Sequence, residues 1–405
     1  MEERIDAPKR GRFQSNITRF RQDKRLAVVG LLHSLALLGM LLILVFCIFR
    51  FHEDLSPERL SRLLSDFKAA NTVADPFSEY RFEAGLRTVY APLGSGLAVS
   101  SGDAYSYVSG LGSSAYSIQL GYTNAALCVS DKYVLVYDRG NTGFCVASSY
   151  AEYLRGDAGS PILSASMNRD GAFALVTDEN GYRSAVSVYS ARQKLLCQWL
   201  TSQYYTLMAS VSPDSRSFAA LTLSQTDLTL STQVRYFRIG DEEPAWTAEL
   251  GTRQVYSMTH DKSGGLVILW DGGLFRYDEK GNQTASLTFA SPLQRFAASE
   301  EGDLLLAFSS ADRSAQYVEL WVVGDQGELL CKKSFSGVLR AAACSGGTAA
   351  LLLGDRVEAV SYTEEGQPVR AQSQSGARDL LTDREGACIL VYSDRAEKVD
   401  FSAEP

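Results

Sequence analysis

The stretch "ASVSPDSRSFAALTL", Ala209–Leu223, moves from a short apolar approach through Ser-Pro-Asp-Ser into a run of small and apolar residues. The phrase returns as "SMNRDGAFALVTD" (Ser166–Asp178), "MTHDKSGGLVILW" (Met258–Trp270), "AASEEGDLLLAFS" (Ala297–Ser309) and "LLTDREGACILVY" (Leu380–Tyr392). Turn formers followed by strand formers read as the end of one strand, a tight turn and the start of the next. Equivalent turns fall near Gly94, Asp131, Gly171, Ser215, Ser263, Gly302, Gly346 and Gly386. They recur about every forty residues, the length of one four-stranded propeller blade.

The strands after these turns decide between a propeller and a sandwich. They read "YVLVY", "AFALV", "FAALTL", "LVILW", "LLLAF", "AALLL" and "CILVY", apolar at almost every position. A sandwich strand wets one face and alternates, whereas a strand apolar on both faces must be covered on both. Blades stacked around an axis supply that cover. The expected fold is therefore all-β, an eight-bladed β-propeller, with seven blades as the alternative should a glycine-rich N-terminal unit prove irregular. The last unit has only three strands after Arg378, and "SEYRFEA" (Ser78–Ala84) offers the missing outer one. Pairing the two ends of the chain closes the ring and removes its exposed edges. Third strands such as "VRYFRI" and "AEKVDF" alternate, as strands nearer the rim should. Third-to-fourth connections are read in "TDENGYR", "YDEKGNQ", "VGDQGEL" and "YTEEGQP", where Gly supplies positive φ and the acid binds turn amides. Their two or three oxygens are too few for calcium loops.

The N-terminal region has a different character. Residues 1–25 hold eight Lys/Arg against four acids; with −8 for the whole chain, the remainder carries −12. An acidic body argues against nucleic acid as partner. "LAVVGLLHSLALLGMLLILVFCIF" (Leu26–Phe49) has no charged residue and as a helix reaches roughly 36 Å, enough for a bilayer core. Arg19, Arg21, Lys24 and Arg25 on its N-terminal side predict a basic tail (1–25) in the cytoplasm and a single-pass transmembrane helix (26–49) in the cytoplasmic membrane. Residues 50–77, with "LSPERLSRLLSDF", predict a short amphipathic connector helix begun by Ser56 and Pro57. Residues 78–405 form the extracytoplasmic propeller. Taken whole, the basic tail, single span, "LSPERLSRLL" connector and repeats resemble a family of membrane-anchored bacterial propellers of unknown function, known chiefly from Gram-positive anaerobes. That resemblance implies a propeller outside the cytoplasmic membrane and supplies no catalytic residues.

Chemistry is sparse. Beyond the membrane-proximal region the only histidine is His260, in a turn phrase, so a Ser-His-Asp triad or multi-His metal site would rest on one imidazole. No cofactor, no metal and no catalysis are expected. "GLGSS" (Gly110–Ser114) reads as a turn rather than a phosphate cradle, and the lone Trp270-Asp271 is no WD repeat. "PAWTAEL" (Pro244–Leu250) is similar to the outer strand of quinoprotein-type propellers, where a Trp docks between blades; one copy implies no quinone. Cys128, Cys145, Cys197, Cys331, Cys344 and Cys388 are scattered as small buried thiols, with Cys128–Cys145 the one pair whose spacing allows a disulfide. Tyrosines crowd the first units, and Tyr105, Tyr107, Tyr116, Tyr122, Tyr150 and Tyr153, with Tyr204 and Tyr205, form the candidate binding surface. The expected function is a non-catalytic binding or scaffold module for cell-envelope proteins or glycans. Two alternatives stand beside it: a carboxylate-based glycan hydrolase or lyase in the central opening, and a ligand sensor coupled through the transmembrane helix.

Overall fold

The computed structural model describes residues 33–41 and, between 79 and 401, all but 83–87, 95, 102, 110–113, 227–228, 300–301, 310–316, 365–366 and 374. The chain divides into two compact units, Met1–Thr72 and Val73–Pro405. In the first, residues 33–41 are helical with nearly every side chain exposed. Among the described residues no helix is long and apolar enough to cross a membrane. The rest of the expected span at 26–49, the tail at 1–25 and the connector at 50–77 lie outside the described residues.

The second unit holds eight four-stranded antiparallel sheets. We call them blades 1 to 8: 89–119, 125–157, 162–201, 205–251, 255–288, 293–336, 339–372 and 379–398. The inner strands are Val89–Leu93, Ala125–Val129, Ile162–Met167, Tyr205–Val211, Val255–His260, Leu293–Ala298, Leu339–Ser345 and Asp379–Thr382. Blade 8 takes its outer strand, Glu79–Arg81, from the start of the chain; Glu79, Tyr80 and Arg81 stand opposite Glu397, Ala396 and Arg395. The ring thus closes as the lone alternating strand predicts.

The core is a set of seams between blades. In blade 3, Phe173 and Leu175 pack with Leu135, Tyr137 and Val146 of blade 2. Their neighbours Ala174 and Val176 pack with Phe218, Ala220 and Phe237 of blade 4. Eight such clusters fill the eight blade-to-blade seams. Each apolar second strand therefore feeds two cores at once, which is why it cannot alternate. Truncating one of these leucines to alanine costs about 2–5 kcal/mol.

The repeated phrase builds one hydrogen-bonded turn. Its opening residue accepts from a backbone amide three to five positions on: Ser130 from Tyr133, Asn168 from Ala172, Ser212 from Ser217, Asp261 from Gly265, Ser299 from Asp303 and Asp383 from Ala387. Gly171 and Gly302 complete two of these turns at φ 93° and 96°, a region that side chains with a Cβ rarely enter. Two expectations need correction. "TDENGYR" joins the second and third strands of its blade, because Phe173–Thr177 and Ser184–Tyr189 flank it. Third strands also differ among blades: Thr229–Arg238, which holds "VRYFRI", and Tyr317–Val323 alternate as expected, whereas Ser184–Tyr189 and Arg356–Ser361 are nearly as buried as second strands. Neighbouring blades cover these last two on both faces, and outer strands such as Gln283–Thr288 alternate.

Cys128 and Cys145, the one pair whose spacing allows a disulfide, are both free thiols. Cys128 stands opposite Leu135 and Cys145 opposite Val136. Because consecutive residues face opposite sides of a strand, the two sulfurs lie on opposite faces of blade 2. Cys145 joins the seam with blade 1 and Cys128 that with blade 3. Burial pushes the Cys128 thiol up to about 12.

Candidate binding site at the mouth of the central channel

The eight inner strands surround a central channel. Two contiguous cavities of about 590 and 500 Å³ line it, sharing Val129 and Ala298. At one end stand the turn phrases; at the other, roughly 20 Å away by strand length, each inner strand begins.

At that second end, five successive blades break register at the same place. In blades 3 to 7 the pairing skips Leu163, Leu207, Tyr256, Gln294 and Arg340, each an extra residue in a β-bulge. Blades 1, 2 and 8 pair their inner strands without a skip. A regular inner strand sends alternate side chains into the two seams; a bulged residue belongs to neither and is re-aimed. All five are accordingly solvent-exposed.

The bulges set out an apolar arc. Leu163 and Leu207 are each 42% exposed, Tyr256 37% and its neighbour in space Phe296 39%. Ser164 Oγ donates to the Leu207 carbonyl at 2.9 Å, tying the first two bulges together. The Tyr256 and Phe296 rings stack with centroids 6.3 Å apart. Tyr205, 52% exposed, opens the inner strand of blade 4 with the Arg183 guanidinium 4.9 Å from its ring. Past Phe296 the arc turns cationic with Arg295 and Arg340, both exposed.

The 590 Å³ cavity lies toward the opposite end, where the charged side chains make structural contacts. Asp131 pairs with Arg169 of blade 3 at 3.1 Å and with Arg384 of blade 8, which reaches it across blade 1. Blade 1 permits this because its turn spans only Leu93 to Gly96. Asp383 caps its own turn and meets Lys398 at 3.5 Å. His260 shares a hydrogen bond of 2.9 Å between Nδ1 and Ser210 Oγ, beside the Tyr236 ring. Burial lowers its pKa to about 4, against the opposing pull of Asp261 and Asp214. The imidazole is thus neutral at pH 7, wedged between blades 4 and 5. Among the described residues no group of His, Cys, Asp or Glu has the arrangement of a metal site.

The tyrosines divide. Tyr105 is fully buried and donates to the Ser148 carbonyl at 3.1 Å; Tyr107 is also in the core between blades 1 and 2. These two are corrected from surface to interior. Tyr116 and Tyr122 fringe the same seam, and Tyr153 packs edge-on against Tyr133 at 5.1 Å. Tyr150 is half-buried, and Tyr204 lies beneath the Arg235 guanidinium at 3.8 Å. Only Tyr205 of the eight is exposed, and it belongs to the channel mouth. Trp246 does dock between blades: its ring stacks on Tyr236 at 4.9 Å, lies 5.7 Å from Tyr277 of blade 5, and its indole donates to the Glu279 carbonyl at 3.1 Å.

Solved structures similar to the chain are propeller proteins of distant sequence. BamB from Moraxella catarrhalis is 16% identical with a TM-score of 0.51, over 80% of this chain and 99% of that one. The C-terminal WD40 domain of Sif2 is 13% identical with a TM-score of 0.57, over 80% and 97%. Apo AztD from Citrobacter koseri is 7% identical with a TM-score of 0.51, over 77% and 92%. At these identities the likeness is one of fold. No curated protein matches the chain. Residues 74–401 match the model of a family of unknown function, DUF5711.

Proposed function

The chain belongs to the DUF5711 family of unknown function, and from its channel mouth we propose that it is a non-catalytic binding module that docks a cell-envelope protein. One observation carries this reading: five successive inner strands each spend an extra residue to expose a side chain at the same end of the channel. Bulged leucines beside stacked aromatic rings suit apolar side chains of a protein better than the flat face of a sugar.

Chain direction supports the same reading. Glu79, where the N-terminal chain enters the propeller, stands opposite Glu397 at the turn-phrase end. The bulged mouth is the end of the propeller farther from that entry. Of the carboxylates that line the two cavities, Asp131 and Asp261 are each paired with an arginine and Asp379 accepts from a tyrosine hydroxyl.

Site-specific photo-crosslinking in cells tests this. With a benzophenone amino acid at Leu207 or Tyr256 of the full chain, a discrete adduct is expected. The same probe at Leu330 on the rim should give none. Equal adducts from all three positions, or none from Leu207 and Tyr256, would overturn the proposal.

A further inference from the structure

The cationic end of the arc narrows the chemistry of the partner. On the eight inner strands the carboxylate and guanidinium side chains are Arg295, Arg340 and Asp379. Asp379 is already engaged, accepting from Tyr90 Oη at 3.2 Å and from the Leu380 amide at 2.9 Å. Arg295 donates through Nε to the Arg340 carbonyl at 3.5 Å and through Nη1 to the Gln294 carbonyl at 3.2 Å. Among the described residues no carboxylate pairs with either arginine. Two exposed cations therefore stand together on adjacent bulges, in a body whose charge beyond residue 25 sums to −12. Some arginines elsewhere in the ring are matched: Arg276 by Asp261, and Arg356 and Arg370 by Glu358.

Arg295 also borders the 500 Å³ cavity together with Phe296, so its free N–H groups and the Phe296 ring address the same space. A guanidinium presents paired donors that match the two oxygens of a carboxylate. Resting on the docking role above, we propose that the mouth binds an extended peptide segment of its partner in which apolar side chains lie beside one or more acidic residues. The apolar residues lie over Leu163, Leu207, Tyr256 and Phe296, and the carboxylate meets Arg295 and Arg340. Charge complementarity selects this occupant: a basic segment would meet two unpaired cations, and a neutral one would leave them unmatched.

The test pans a displayed library of random peptides, roughly twelve residues long, on the purified full chain and in parallel on the R295E/R340E double variant. On the native chain, Asp and Glu should be enriched beside Leu, Phe or Tyr, with a preference for acidic over basic peptides of about tenfold. On the double variant the charge preference should reverse to Lys and Arg while the apolar preference persists. Peptides enriched without charge bias, or with the same bias on both proteins, would overturn this inference and leave the docking role standing. A library that yields no enrichment, or a glycan array that binds through Tyr256 instead, would overturn both.

Discussion

Arg276 Nη2 lies 2.6 Å from Asp261 Oδ2, and both side chains are almost wholly removed from solvent. Asp261 opens the turn phrase of blade 5, where its other oxygen accepts from the amides of Ser263 and Gly265, each at 2.8 Å. Arg276 carries the contact onward, donating to Thr284 Oγ1 at 2.8 Å and to the Asp325 carbonyl of blade 6 at 3.2 Å. One carboxylate thus holds a turn while its partner stitches two blades.

Removing one side of such a pair strands the other charge inside the protein. Asp261→Ala should lower stability by about 3–5 kcal/mol, because it removes a turn cap and leaves Arg276 uncompensated. The double variant D261A/R276M should recover part of that loss, since it buries no lone charge. Urea unfolding of the full chain measures both. A double variant less stable than D261A would contradict the assignment.

Ring closure makes a second prediction. Tyr80 is buried against Leu97, Val99, Ile389 and Val391 in the seam between blades 8 and 1. Tyr80→Ala should cost about 3–5 kcal/mol, the loss typical of a large core aromatic. Deleting Glu79–Arg81 should do more, because Arg395–Lys398 becomes an open strand edge that invites pairing between molecules. Hydrogen exchange should then rise first in blade 8, and light scattering should show association. Unchanged exchange there would contradict the closure.

The fold was legible because its seams demand a pattern that few other folds do. "AFALV" and "CILVY" have no wet face, and the turn caps recur in step with them. The mouth was much less legible. Leu163, Leu207, Tyr256, Gln294 and Arg340 each stand five positions before the residue that opens the turn, namely Asn168, Ser212, Asp261, Ser299 and Ser345. The same offset before Ser130 and Asp383 reaches Ala125 and Arg378, where pairing shows no skip. A bulge depends on how two strands are paired, so one strand's residues cannot announce it. Length offers a partial signal: bulged inner strands run six or seven residues, against five, five and four in blades 1, 2 and 8.

The tyrosines misled for a packing reason. A Cβ on Gly96 would lie 2.5 Å from the Tyr107 ring, and one on Gly143 would lie 2.7 Å from the Tyr122 ring. The Tyr107 and Tyr122 rings each fill the space that a glycine vacates. A composition shift that looks like a contact surface is here a seam.

The thiols make a third prediction. With Cys128 and Cys145 on opposite faces of blade 2, oxidation of the native protein should produce no crosslink between them. Alkylation at pH 8 should be slow at Cys128, because burial keeps its thiol protonated, and rapid once the chain is unfolded. Peptide mapping after a timed iodoacetamide pulse distinguishes the two states. A Cys128–Cys145 crosslinked peptide from folded protein would contradict the register of the three strands involved.

His260 gives stability a dependence on pH whose sign is fixed by its burial. Its pKa falls from an ordinary value of 6.5 to about 4 in the folded protein, chiefly through burial. Between those values the unfolded chain binds a proton that the folded chain refuses, so acid favours unfolding. The neutral ring's contribution is complete above pH 6.5 and is lost progressively as pH falls toward 4, by at most about 3 kcal/mol. Carboxylates titrate near the lower limit, so the informative interval is pH 6.5 to 5. There the native protein should lose stability steadily, whereas His260→Gln, which lacks the titrating ring, should show a flatter profile. Urea unfolding at half-unit steps measures the difference. Parallel profiles for the two proteins would mean that the imidazole carries its charge in the folded state, and the wedge between blades 4 and 5 would have to be water-filled.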